Sequence, residues 1–279
     1  MELTRIRPQR IRLMGEPIDL VTPPEVMTFT ARKVAARQKA IIANHNTHSL
    51  YLMPREPEMR AFFSRADLIE LDSIPLAYWG KLTKKPVGRG HRCTYLDWRD
   101  DFWRMAQANH WRVFYLGGVP GASEVAAERL EAKWPGVTIA VRNGYFVMAP
   151  GSAENRAVVD QINAFEPHIV FVGMGMPRQE VWIHRNYDAL TQGVVFSVGG
   201  AFDYEAGYQK AAPRWLAKLG FEWAFRLGAA PRRLFARYLV EPWHLMPAAL
   251  RDLSLAYGPA ARRPTLPRPA GATVRKIQG

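Results

Sequence analysis

Polar residues recur just past short apolar runs along this 279-residue chain, and that spacing is where its chemistry should lie. Asn44 and Asn46 follow Ala40-Ile-Ile-Ala43, and Asp72 closes Leu68-Ile-Glu-Leu71. Gly117 and Gly118 follow Val113–Leu116, and Tyr145 comes soon after Val137–Val141. Gly173, Gly175, Arg178, Gln179 and Glu180 follow His168-Ile-Val-Phe-Val172, and Asp203 follows Val194–Val198. Runs of four or five apolar, β-branched-rich residues predict strands buried on both faces. In a parallel sheet the points past such strands share one edge, so these residues would converge on one crevice.

Several of these residue types suggest specific chemistry. Asp72, between Leu71 and Ile74-Pro75, could be partly desolvated and so act as a general base; capping the next helix is its simpler role. Arg92 and Asp97 could form a phosphate clamp and its orienting partner, or a plain surface ion pair. Gly173-x-Gly175-x-x-Arg178 lacks the third glycine of the dinucleotide fingerprint, and Gly117-Gly118-x-x-Gly121 departs from it too. A glycine turn running into a helix start still suits a pyrophosphate. A nucleotide-sugar diphosphate fits such a site better than NAD does. There is no Walker motif and no nucleophile elbow. His45 and His48 lack metal partners, and Asp97, Asp100 and Asp101 read as a solvated helix start, so no metal and no cofactor are expected.

The elements that must position these residues alternate. A strand and turn around Gly15 lead to a helix capped by Thr22 ahead of Pro23; others cover about 56–66, begin near Ser123, and run over 157–165. This alternation predicts an α/β fold, a mainly parallel Rossmann-like sheet with helices on both faces. Residues 1–12 form a basic arm and 13–207 the α/β domain. Residues 208–250 form a basic aromatic helical appendage, broken near Pro231, with Arg226, Arg232, Arg233 and Arg237 among aromatic anchors. From 251 onward Pro, Ala and Arg dominate without periodicity, which predicts a disordered tail.

A formal charge of +13 implies an acidic partner: nucleic acid, an anionic membrane surface or a phosphorylated substrate. The single Cys93 excludes an intrachain disulfide and a cysteine-rich zinc site. The basic N-terminus has no apolar core of a secretory signal, and no apolar run approaches the length of a membrane span. A soluble or peripheral cytoplasmic protein is expected. In the appendage, Trp215, Trp223, Phe225 and Trp243 beside Arg and Lys suit an interfacial anchor or a stacking RNA surface; they could also be ordinary core. The membrane reading comes first.

These residues together resemble the WecG/TagA/CpsF glycosyltransferases, which build bacterial surface polysaccharides and teichoic-acid linkage units. The resemblance is carried by Gly15-x-Pro-Ile-Asp19, Asn44-His-Asn46, Ala66-Asp-Leu68 leading to Asp72, and Arg92 with Asp97. It continues through Leu116-Gly-Gly118, Gly144-Tyr-Phe146, Val172-Gly-Met-Gly-Met-Pro-Arg-Gln-Glu180 and Val198-Gly-Gly-Ala-Phe-Asp203. Ala212-Pro-Arg-Trp215, Glu222-Trp-x-x-Arg226 and Pro231-x-Arg233 complete it.

The resemblance implies an inverting, metal-independent transfer from a UDP-sugar to a polyprenyl-diphosphate-linked saccharide on the inner face of the plasma membrane. By motif position Asp72 would be the base, Asn46 and Gln179 would position donor or acceptor, and Tyr145 and Asp203 would contact the nucleotide. Arg92, with Arg226 and Arg233, would offset charge on departing UDP. A homo-oligomer is compatible with it, and no nucleic acid is expected. Three departures stand out: Asn44 replaces a common Thr, Asp72-Ser-Ile-Pro75 replaces Asp-Gly-x-Gly, and Tyr95 replaces a glycine. They border the sugar pocket, so N-acetylmannosamine, a hexose and a hexuronic acid all stay open as donor sugar. A non-catalytic RNA or anionic-surface binder and a nicotinamide oxidoreductase are the alternative functions.

Overall fold

The computed structural model describes residues 8–213, 216 and 221–259, without the Arg233 side chain. Trp215 and residues 260–279 of the expected tail therefore lie outside the described residues. The chain opens with an antiparallel hairpin, β1 (Gln9–Leu13) and β2 (Glu16–Leu20). β1 thus begins inside the stretch read as a basic arm. Arg10 reaches across it to Asp19 at 2.7 Å, and Asp19 also accepts from the Ile69 N–H at 2.8 Å.

Strands and helices then alternate. In order come α1 (Pro23–Ala35), β3 (Ala40–His45), α2 (Thr47–Leu52), α3 (Pro57–Arg65), β4 (Leu68–Leu71), α4 (Ile74–Leu82) and α5 (Tyr95–Ala108). They continue as β5 (Arg112–Gly117), α6 (Ala122–Lys133), β6 (Thr138–Arg142), α7 (Ala153–Phe165), β7 (Ile169–Gly173), α8 (Arg178–Asn186), β8 (Val194–Ser197) and α9 (Ala201–Glu205). Six strands pair in parallel in the order β4-β3-β8-β7-β5-β6. This is the α/β sheet expected. Successive residues alternate between its two faces: Ile169 and Phe171 meet Trp98, Phe102 and Phe202 on one side, while Val170 and Val172 meet Phe62, Val158, Trp182 and Ile183 on the other.

Local capping follows the sequence in part. Thr22 caps α1, its hydroxyl and N–H both donating to Glu25. Ser123 is not the cap of α6. Gly121 takes that place, and the Ser123 hydroxyl donates instead to the Gly117 carbonyl at 2.8 Å. Pro177 stands at the cap position of α8, one residue before its first turn.

The C-terminal part forms α10 (Glu222–Ala229) and α11 (Pro231–Phe235), broken at Pro231 as expected, then a helical stretch through Leu245 and α12 (Met246–Tyr257). α12 extends past residue 251, where composition suggested the disordered tail would start. Tertiary contact overrides that expectation: buried Asp252 accepts from the Met14 N–H at 2.8 Å and the Trp79 indole at 3.3 Å. Leu245 joins the hairpin and α4 in a third apolar cluster.

Candidate active site

The carboxyl ends of all six parallel strands open onto one cavity of about 730 Å³, of the size that holds a substrate-scale ligand. Asn44, Asn46, Asp72, Gly118, Tyr145, Gly173, Gly175, Arg178, Gln179, Asp203 and Arg226 line it. Strand direction explains the convergence, since these residues sit at the carboxyl ends of the parallel strands or in the turns and helix starts that follow them. Gly173 is needed for the packing of this edge. A Cβ there would lie 2.3 Å from both the Gly199 carbonyl oxygen and the Tyr115 hydroxyl.

Asp72 is half-buried at the end of β4, with its N–H donating to the His45 carbonyl at 2.8 Å. Its carboxyl is not spent on capping α4, because Ser73 takes that role by accepting from the Leu76 N–H. Burial pushes the Asp72 pKa up to about 7, with Arg92 and Arg226 pulling it down and Glu222 and Asp97 adding to the rise. A carboxylate with that pKa can both hold and release a proton near neutrality. Two residues earlier on β4, Glu70 is buried against the Trp98 indole, and burial followed by the nearby Asp72 keeps its pKa well above the usual range.

Arg92 does not line the cavity. Its guanidinium donates to Glu222 at 2.6 Å and lies 3.7 Å from Asp97. The expected phosphate clamp is therefore turned inward, binding the first turns of α5 and α10 behind Asp72. Asp97 itself accepts from the Thr94 hydroxyl at 2.8 Å, in the first turn of α5, and is also outside the lining. Neither position offers a direct phosphate contact, because each charge is already paired with protein.

Gln179 lines the cavity but is only 1% exposed. Its Oε1 accepts from the Gly199 N–H at 3.1 Å and its Nε2 donates to Glu180 at 2.7 Å. The amide thus ties α8 to the loop after β8, leaving only one N–H for a ligand. Glu180 is fully buried, does not line the cavity, and has its pKa raised to about 7 by burial. Arg178 donates to the Gly144 carbonyl at 3.0 Å, which fixes the turn beside Tyr145. Tyr145 is 69% exposed at the mouth. Asn44 donates to the Ser197 carbonyl at 2.6 Å, while Asn46 caps α2 by accepting from the Ser49 N–H.

Arg237, His48, Glu222 and Glu241 also line the cavity and were not singled out as site residues from sequence. Arg237 lines the cavity with Arg226, and each keeps a buried Nε without a partner among the described residues. Charge alone marked Arg237 as basic; nothing local showed that it points inward. His48 lies 2.6 Å from Glu241, and both also line the cavity. Burial pulls the His48 pKa down, against the pull of Glu241. This contact joins α2 to a residue 193 positions away, a separation no motif reports. Among the described residues no group of three or more His, Cys, Asp or Glu side chains is placed to hold a metal ion.

A sequence model of the WecG/TagA/CpsF glycosyl transferase family matches residues 11–257. Among similar proteins are the N-acetylglucosaminyldiphosphoundecaprenol N-acetyl-beta-D-mannosaminyltransferases of Staphylococcus aureus strains MRSA252 and NCTC 8325 / PS 47. Each is 30% identical over 198 residues, covering 67% of this chain and 75% of the relative.

Proposed function

The chain belongs to the WecG/TagA/CpsF family and is a glycosyltransferase; from that premise we propose that it transfers a sugar, with inversion and without a metal ion, from a UDP-sugar to a polyprenyl-diphosphate-linked saccharide. The acceptor class is that in the relatives' name. The observation that carries the reading is Asp72, a carboxyl with pKa about 7, in one cavity with the guanidinium groups of Arg226 and Arg237.

In the step we envisage, the Asp72 carboxylate takes the proton of an acceptor hydroxyl as that oxygen bonds to the anomeric carbon. The bond from that carbon to the diphosphate breaks on the opposite face, and its electron pair leaves with UDP. Arg226 and Arg237 offset the charge developing there, a role divalent cations take in other transferases. Arg233 is retained as a third candidate on the same helical segment. Gly118 and Tyr145, past β5 and β6 at one end of the sheet, and Asp203, past the more central β8, line the cavity and serve the nucleotide. Asn44, Asn46 and the remaining N–H of Gln179 serve the sugars. Arg92 and Asp97 act behind the base as positioning residues.

The appendage is assigned to membrane docking on the cytoplasmic face, which suits an acceptor carried on a polyprenyl chain. Phe235, Leu239, Trp243, Met246 and Leu250 are between 42% and 71% exposed and recur every three or four residues along the helical segment, an exposed apolar stripe in the sequence of the appendage. No described helix is long and apolar enough to cross a membrane. Family membership favours this reading over an RNA-binding protein or an oxidoreductase.

The test is transfer from a panel of UDP-sugars (N-acetylmannosamine, hexoses and hexuronic acids) to a defined lipid-diphosphate saccharide. Asp72→Asn should lower kcat by about 10²–10⁴-fold with whichever donor is accepted. Unchanged kcat in that variant would remove Asp72 as the base.

A further inference from the structure

The apolar stripe of the C-terminal segment contains few outward-facing cations. Between Phe235 and Leu250 the one Arg or Lys is Arg237, which lines the cavity, while exposed Arg232 and Arg251 flank the stripe at its two ends. A surface meeting anionic headgroups needs positive charge near its apolar face. In this molecule a denser group of cations stands on a different element, in the catalytic body. The last turn of α4 and the connection after it carry Lys81, Lys84, Lys85 and Arg89, and the sequence from Ser73 to Leu96 has no Asp or Glu. Lys81, Lys84 and Arg89 are exposed, and none of the four forms an ion pair with a described residue.

This basic connection is joined to the end of α12. The Tyr257 hydroxyl donates to the Leu82 carbonyl at 2.7 Å, and the Lys84 ammonium lies 4.1 Å from the centre of the Tyr257 ring. Tyr78, Leu82 and Tyr257 are 41–52% exposed, so apolar surface and cations are interleaved there. Arg89 also donates to the Tyr78 hydroxyl at 2.7 Å. From Trp243 to Tyr257 the helical path rises about 20 Å. The basic connection and the tip of the stripe thus stand far enough apart to act as two contacts.

We propose that the 81–89 connection of the catalytic body is a second membrane-contact element, binding anionic phospholipid headgroups while the C-terminal stripe inserts. The proposal rests on the peripheral-membrane reading above and deepens it by dividing the work. The stripe supplies apolar burial, and the connection supplies selectivity for negative lipid. Two contacts also fix the rotation of the body over the bilayer, so the cavity keeps one bearing on a lipid-linked acceptor.

The test uses the full chain and vesicles of phosphatidylcholine with or without phosphatidylglycerol, read by sedimentation at two salt concentrations. The wild type should favour the anionic vesicles, with a preference that falls as salt rises. The Lys81→Gln, Lys84→Gln, Lys85→Gln, Arg89→Gln variant should lose roughly 10–100-fold of that preference while keeping its weaker binding to neutral vesicles. Trp243→Ala with Leu250→Ala should weaken binding to both. Transfer to a short-chain, water-soluble acceptor should be unchanged in the quadruple variant, which shows an intact site and reports on the enzymatic reading separately. Unaltered anionic preference in that variant overturns the proposal. So does charge-dependent binding to single-stranded RNA with no binding to vesicles.

Discussion

At the scale of single residues, Asp72 is set apart by what its neighbours do for it. Ser73 caps α4 and Arg92 pairs mainly with Glu222, so the Asp72 carboxyl faces the cavity with its pKa lifted to about 7. As a base it works only when ionised, so kcat should rise with pH through an apparent pKa near 7. The same shift bears on stability. An Asp whose folded pKa lies above its unfolded value near 3.8 gives full stability below that value and loses it as pH rises towards 7. The full shift would be worth about 4 kcal/mol, but solvent in the cavity reduces it, to about 1–2 kcal/mol. Asp72→Asn should therefore lower kcat as above and yet raise Tm by a few degrees at pH 8, with little gain at pH 4. Thermal melts of both proteins across that range check the sign. An equal or lower Tm for the variant at pH 8 would show that burial does not penalise the ionised form.

At the scale of elements, the site is held by contacts between parts distant in sequence. Arg92 and Glu222 are 2.6 Å apart and mostly buried, with 12% and 24% of their side chains exposed. We expect Arg92→Ala and Glu222→Ala each to lower kcat/KM, and the double variant to be little worse than either. The coupling should be about 1–3 kcal/mol, measured from the four rate constants. Additive losses would mean that the two residues act separately. This pair also marks what the sequence could and could not convey. The strands and the edge where Asp72, Tyr145 and Asp203 meet were legible, because burial on both faces writes continuous apolar runs such as Ile169–Val172. Whether a polar residue at that edge points outward or inward was not legible. Gln179 and Arg92 have the right types at the right spacing, yet their partners, Gly199 and Glu222, are chosen by tertiary packing. The inward turn of Arg237 was hidden for the same reason, and the half of α12 from Arg251 onward reads as a tail until Asp252 is seen to bind Met14 and Trp79.

At the scale of the whole molecule, the cavity is completed by a segment that owes its position to an anchor at its far end. Arg226, Arg237 and Glu241 line the cavity, while α12 beyond them is pinned by Asp252 on the β1–β2 turn and α4. The two ends should therefore be linked. Removing the Asp252 carboxylate strands the Met14 N–H and the Trp79 indole N–H, at a cost of about 1–3 kcal/mol. That cost falls on the docking of the C-terminal part, since the sheet has its own two apolar clusters. Asp252→Ala should speed amide exchange across residues 222–257 and leave β3, β7 and β8 protected. It should also raise KM for the UDP-sugar several-fold, because Arg226 and Arg237 would spend less time at the cavity. Asp252→Asn keeps one acceptor and should restore much of both effects. Faster exchange in 222–257 with an unaltered KM would separate the anchor from the site and show that the arginines hold their places through the Glu222 and Glu241 contacts alone.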